Sequence, residues 1–447
     1  MRRAILLALA LAACEGADVT RRATSPLELP AMRSFAPQAE PGPRASNASL
    51  AQDFMDLSFR MESGRPLPVF TRFEGPVTVQ LTGPATPTLS TDLDVLVARI
   101  RQEAGIDVTR VASGPASVTI ETVPGQRLRA AVPEAACFVA PGVSSWRDYG
   151  RAQGGSATDW TRLSRRERIA VFIPDDAPPQ EARDCLHEEV AQALGPLNDL
   201  YRLESSVFND DNVHAVLTGF DMAMLRIAYA PELRSGMTEA EVSRALPAVL
   251  SRLYPRGGTA RPVPARDAGR DWSVAIGRAL DPASTQNQRQ AAARMAARMA
   301  DAAGWRDGRA AFANYLLGRL ALADRPAEAL AAFRKAGTLY ASRPGMELHE
   351  AHVGMQMAAF ALSSGDARSA LDLTGQFAPV AQRAQNAALL ATLLAIRAEA
   401  LEMTGRSDEA EATRTESLGW ARYGFGSDDT IRARMDEIAA LRPEPQP

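Results

Sequence analysis

The sequence predicts an α+β domain built on one mixed sheet, followed by an all-α domain of helical repeats. Three observations carry this. Short β-branched and aromatic runs alternate with helix-periodic stretches in the first half. Strand signals vanish after residue 255. Three helical stretches near the C-terminus then align at a spacing of about 40 residues.

The chain opens on Met1-Arg2-Arg3, an apolar run from Ala4 to Ala10, and Leu11-Ala12-Ala13-Cys14. A basic start, a short apolar run and small residues before a cut site describe a secretory signal over 1–14. The run falls short of the roughly 20 apolar residues that span a bilayer. Leu-Ala-Ala-Cys resembles the bacterial lipobox, which implies that Cys14 becomes a lipidated N-terminus. The other reading is an ordinary signal peptide cut near Ala13. Residues 15–48 are polar and proline-bearing, so they are expected to form a disordered tether.

The α+β domain is expected over 49–255. Residues 68–73 and 76–81 read as strands, punctuated by Gly75 and Gly83. A helix follows, with Ser90 or Thr91 as cap, Leu93, Leu96, Val97 and Ile100 at helical spacing, and Gly105 as stop. Residues 117–123 alternate as a strand, and 135–139 form another apolar stretch. Ile169–Pro174 is an uninterrupted apolar run, as in a buried strand. A helix from about Gln180 to Leu194 comes directly after it.

A Gly/Pro/Arg-rich linker is expected over 256–271 and a helical domain over 272–441. The aligned stretches begin at Gly318, Ala358 and Ala398, each a small-residue helix, a turn and a second Ala-rich helix. They resemble a short tetratricopeptide-like array; a plain helical bundle is the other reading. Stacked hairpins of this kind offer a groove to a protein or peptide partner. His349 and His352 stand on one of these helices without acidic or cysteine company, and read as core or surface residues.

A net charge of −3 leaves no basic footprint for nucleic acid. After Cys14 only Cys137 and Cys185 remain. In an oxidising compartment such a pair is expected to form a disulfide, and the absence of a CxxC spacing argues against structural zinc.

The segment that bears on chemistry runs from Cys185 to Asp199. Leu186, Val190, Ala193 and Leu194 share one helix face, Glu188 and Gln192 another, and Gly195-Pro196 is expected to end the helix through a left-handed cap. Aligned on Gly195, the segment reads Glu188-Glu189-x-x-Gln192-x-x-Gly195-x-x-Asn198. This resembles the metzincin signature H-E-x-x-H-x-x-G-x-x-H with each histidine replaced. The order of strands and helices before it is similar to that of zincin-type metallopeptidase domains. Downstream, Ser205–Asp210 falls where such enzymes turn beneath the metal, and Leu217–Tyr229 is similar to their closing helix. Residues 48–255, with the E-E-x-x-Q-x-L-G-x-x-N-D core and the F-N-D, L-T-x-x-D and A-Y-x-P-E-L-R-x-G-M blocks, also resemble a proteobacterial domain of unknown function, DUF2927. Several members of that family look like lipoproteins, in agreement with Cys14. The resemblance supplies no mechanism.

Zinc peptidases need nitrogen or sulfur donors, an open position for water and a glutamate base. Only the base position, Glu189, keeps its type. Glu188, Gln192 and Asn198 offer one carboxylate and two amides, donors better suited to hard cations than to zinc. Three readings follow. Glu188, Glu189 and Gln192 form a solvated helix face with acids favourably near its start; or the fold keeps a cleft that binds a partner without metal; or a hydrolase uses Glu188, Asp199 and His214 as ligands for zinc or another divalent cation, with Glu189 as base. The expected whole is a zinc-less, zincin-like domain and helical repeats. It would be lipid-anchored on the periplasmic side, need no cofactor and act as an envelope scaffold. Glu15, after the anchor cysteine, favours the outer membrane. The alternative is a metal-dependent peptidase.

Overall fold

The computed structural model describes residues 29–39, 42–133, 135–257 and 269–443; Cys14 and Glu15 lie outside them. The chain divides into two compact units, one formed mainly by residues 37–267 and one mainly by 268–447 together with the described residues 29–36.

The first unit starts with α1 (Asn47–Ser58), capped by Ser46, whose hydroxyl accepts from Ser49 N at 3.1 Å. There follow β1 (Val77–Thr82), α2 (Pro87–Arg99), β2 (Val108–Arg110), β3 (Val118–Val123), α3 (Gly125–Ala131), β4 (Phe138–Pro141) and α4 (Trp146–Ala152). Then come β5 (Ile169–Pro174), α5 (Pro179–Leu194), α6 (Gly219–Ala228) and α7 (Glu239–Leu253). The sheet runs β2-β1-β3-β5-β4, parallel throughout except for β4, which pairs antiparallel with β5. The expected mixed sheet and α+β architecture are therefore present. β5 is buried along its whole length, which is why its six residues need no polar alternation. Val77 and Val79 of β1, Val118 and Ile120 of β3 and the odd-numbered residues of β5 share one core with Leu186, Val190 and Leu194 of α5.

Several local expectations are corrected. Residues 68–73 form no strand: Phe70 exchanges bonds with the turn before α7 (Phe70 N to Met237 O, 2.8 Å; Gly236 N to Phe70 O, 2.9 Å), a pairing too short to build a ladder. The cap of α2 is Thr86, not Ser90 or Thr91, because Pro87 supplies a preset φ at the first helical position. Ser90 instead serves Arg110, which donates to its carbonyl and its hydroxyl, both at 2.9 Å. Gly105 does stop the helical run, with φ of 72°. Cys137, just before β4, is bonded to Cys185 of α5, as expected, with sulfurs 2.07 Å apart.

The second unit is all-helical: α8 (Gly269–Leu280), α9 (Gln286–Ala302), α10 (Gly308–Ala321), α11 (Pro326–Ala341), α12 (Glu347–Ser363), α13 (Ala367–Arg383), α14 (Ala387–Met403), α15 (Ser407–Phe425) and α16 (Asp428–Ala439). α8 begins inside the segment read as linker. The hairpins α10/α11, α12/α13 and α14/α15 start at residues 308, 347 and 387, a step of about 40 residues and the period seen in the sequence. Glycines let each hairpin close. A Cβ on Gly318 would lie 2.7 Å from the Phe333 ring, one on Gly354 2.1 Å from Phe377, and one on Gly424 2.6 Å from Ala388 N. His349 and His352 are core residues, with rings 5.1 Å from Tyr340 and 6.4 Å from Tyr315.

Part of the segment read as disordered tether is ordered. Phe35 stacks on Trp420 with centroids 4.5 Å apart, and Arg33 N donates to Gly419 O at 2.9 Å. Composition marked the segment as unable to form a core, but it gains order by lying on one already formed. Among the described residues no helix is long and apolar enough to cross a membrane.

Candidate functional site

α5 carries the motif. Its apolar face enters the core by the expected spacing, but its polar side is not solvated. His187, Glu188, Glu189 and Gln192 are 3%, 6%, 2% and 4% exposed, which overturns the reading of a solvated face. The cause is the stretch after Gly195, which folds back along the helix so that Leu217 N meets His187 and Asp199 meets Gln192. Nor are the glutamates near the helix start, where only Glu181 stands in the first turn. Burial holds the Glu181 carboxyl above its usual range.

His187 Nδ1 accepts the Leu217 amide at 3.0 Å, so that nitrogen carries no proton. On the other side of the same residue, Arg99 Nη2 donates to Leu217 O at 3.0 Å, while the guanidinium pairs with Glu103 at 2.7 and 2.9 Å. Burial, then the nearby charges of Arg183 and Arg99, push the imidazole well below its ordinary value. It is a neutral latch on the start of α6.

The end of α5 departs from expectation in a way that matters. Gly195 does not adopt a left-handed conformation. The terminal carbonyls are met by side chains instead: Arg166 donates to Gln192 O and Gly195 O, and the Tyr229 hydroxyl donates to Leu194 O at 3.1 Å. A buried cation at a helix C-terminus also complements the dipole. Arg166 lies over the Trp160 ring at 5.1 Å and reaches Thr71 at 3.3 Å; burial pushes it down to about 10, still charged at neutral pH. Burial pushes Tyr229 up to about 12, which keeps its hydroxyl a donor.

Of the positions where histidines would stand, two side chains are occupied as donors. Gln192 Nε2 donates to Asp199 Oδ2 at 3.4 Å, and Asn198 Nδ2 donates to Asp56 O at 3.0 Å, tying the motif loop to α1. Near Asp199, burial and then the charges of Asp210, Asp211 and Asp199 raise the Tyr201 phenol well above its usual value. The L-T-x-x-D block is a capping box: Asp221 accepts from Thr218 N at 2.7 Å and from Val207 N at 3.2 Å, and from the Ser206 hydroxyl. Burial pushes its carboxyl up to about 6 against these bonds. The loop expected to turn beneath a metal is thus pinned to the start of α6.

Among the described residues no three His, Cys, Asp or Glu side chains converge so as to hold a metal ion. Of the alternative ligand set, Glu188 is buried, and Asp199 and His214 are half-buried. The donor set at the motif does not fit zinc, since a carboxylate and two amide oxygens stand where imidazole or thiolate is needed. A cleft of about 440 Å³ lies on the opposite face of the sheet, lined by Gln80, Thr82, Thr119, Glu121 and Arg168. Sequence patterns do not single out Arg166 or Tyr201, whereas Asp221 stands in the L-T-x-x-D block; Arg166 sits in the charge run Arg165–Arg168, where nothing distinguishes a buried arginine from an exposed one.

No curated protein and no solved structure matches the chain. The model of one family, described as Protein of unknown function (DUF2927), matches residues 47–248, from the first residue of α1 into α7. The chain is similar to the DUF2927 family over this domain.

Proposed function

We propose that the protein is an envelope-tethered interaction scaffold. It is anchored through lipid on Cys14 on the periplasmic side, with a zincin-like domain that works without zinc and helical hairpins that take a protein or peptide partner. One observation carries the reading: two of the three side chains at the motif's ligand positions, and His187 beside them, serve the fold. Gln192 and Asn198 spend their amide protons on Asp199 and on the α1 backbone, and His187 spends its lone pair on Leu217. A helix whose polar groups are buried and mutually engaged supports a framework role, whereas a hydrolase needs donors and a base aimed at an open position. The Cys137–Cys185 bond agrees with an oxidising compartment. Repeated hairpins of about 40 residues support partner binding, since such stacks present extended surfaces.

The test is metal content and hydrolysis on the purified chain. Far less than one zinc or other divalent ion per chain is expected, with no cleavage of casein, and Glu189→Gln should change neither result. Stoichiometric metal, with hydrolysis that dies in Glu189→Gln, would replace this reading by the metal-dependent peptidase. Separately, Cys14→Ser should move the protein from membrane to soluble periplasmic fraction; a variant that stays membrane-bound refutes the anchor.

A further inference from the structure

The contact between residues 30–36 and α15 has the form of a bound peptide. Arg33 N to Gly419 O, at 2.9 Å, sets its register, and Arg422 Nη1 donates to Pro30 O at 2.9 Å. Arg33 and Phe35, two apart on a non-helical backbone, work on the same aromatic patch. Phe35 stacks on Trp420 and meets Tyr423 edge-on at 6.3 Å. The Arg33 guanidinium lies 5.9 Å from the Trp420 centroid and pairs with Glu416 at 3.3 Å. Gly419 permits the approach, since a Cβ there would stand 3.1 Å from Arg33 Cγ.

Two features make this occupant exchangeable. Among residues 29–39 only Leu29, Pro30 and Phe35 are other than exposed, so beyond two hydrogen bonds to its backbone the hold rests on one aromatic anchor, the half-buried Leu29 and Pro30, and a solvent-facing ion pair of the kind salt screens. In addition, Trp420 is 5% exposed and its indole N–H has no acceptor. A buried donor left unmade is costly, so a segment that brings a carbonyl or carboxylate to it would bind better than the chain's own.

We propose that the α15 surface around Trp420 is a recognition site for extended protein segments bearing a basic and an aromatic residue two positions apart. Residues 30–36 hold it in cis until such a segment displaces them. This names the partner class for the scaffold described above, and rests on that reading only for the ligand being protein.

The test uses the full chain and a fluorescently labelled peptide of residues 29–38, with binding read by anisotropy. Arg33→Ala/Phe35→Ala protein should bind the peptide at least about tenfold more tightly than wild type, because a tethered competitor at roughly millimolar effective concentration has been removed. Affinity should fall as salt rises, and a peptide carrying Phe35→Ala should bind neither protein. Both protein substitutions lie on a segment outside the helices, and an unchanged circular-dichroism melt verifies folding. Equal binding to both proteins, or none to the double variant, overturns the proposal. That failure concerns this surface alone, whereas the scaffold reading falls on metal and hydrolysis.

Discussion

Replacing His187 with glutamine should remove an acid-sensitive component of stability from the first domain. The native imidazole is 3% exposed, accepts from Leu217 N at 3.0 Å and faces the charges of Arg183 and Arg99, all of which disfavour its protonation. Its folded-state value is thus well below 6.5, whereas in the unfolded chain it titrates near 6.5. Below pH 6.5 the unfolded state binds a proton that the native state refuses, so stability falls as pH falls; above 6.5 the contribution is fully present. The slope is about 1.4 kcal/mol per pH unit, or roughly 2 kcal/mol between pH 6.5 and 5.0. Glutamine can still accept from Leu217 N but has no proton to gain. The assay is urea unfolding of wild type and His187→Gln at pH 7.5, 6.5, 5.5 and 5.0. Hydrogen exchange on peptides from residues 169–230 would follow it, which isolates this domain from the helical one. The wild-type advantage should shrink by roughly 2 kcal/mol between pH 6.5 and 5.0. A difference independent of pH would refute the assignment of His187 as a buried neutral acceptor.

Other outcomes follow from the packing. Gly354→Ala puts a methyl where Phe377 Cδ2 stands 2.1 Å away, so the helical unit should lose about 1–3 kcal/mol in a circular-dichroism melt; Phe377→Leu in the same chain should recover part of it. Reducing Cys137–Cys185, separated by 48 residues, should cost the first domain about 3–4 kcal/mol by chain entropy. Thiol titration of unfolded, unreduced Cys14→Ser protein should find neither cysteine reactive. Arg166→Met leaves Gln192 O and Gly195 O without their donor and should destabilise by about 3 kcal/mol or more, read by chemical denaturation; a neutral result would refute side-chain capping of α5.

The elements that sequence disclosed are those with strong local signals. Ile169–Pro174 is a continuous apolar run and became β5 residue for residue, and the C-terminal hairpins repeat themselves often enough to be seen. β2, with three residues, and α3 and α4, with seven each, are shorter than the window over which periodicity speaks. At the motif, spacing correctly grouped Glu188 with Gln192. It could not tell that residues 196–217 return to cover that face, because periodicity reports which side chains point together and not what lies opposite. Gly195-Pro196 reads as a glycine cap, yet the donors that end the helix come from Arg166 and Tyr229, distant in sequence and tied to the helix end by no spacing.

The helical hairpins have a mechanical consequence. Each helix packs chiefly on its sequence neighbours, with shorter reaches such as α12 to α14 and α14 to α16. Such a stack opens from its termini and not all at once. α14 is buried on nearly every side from Ala387 to Leu401 and forms the axle of the unit. The α8/α9 hairpin packs on α10 and carries Val274 and Met295 at 62% and 49% exposure. Under load or mild denaturant it should peel away first, which makes the array a graded spring whose later hairpins still hold their shape after the first has let go.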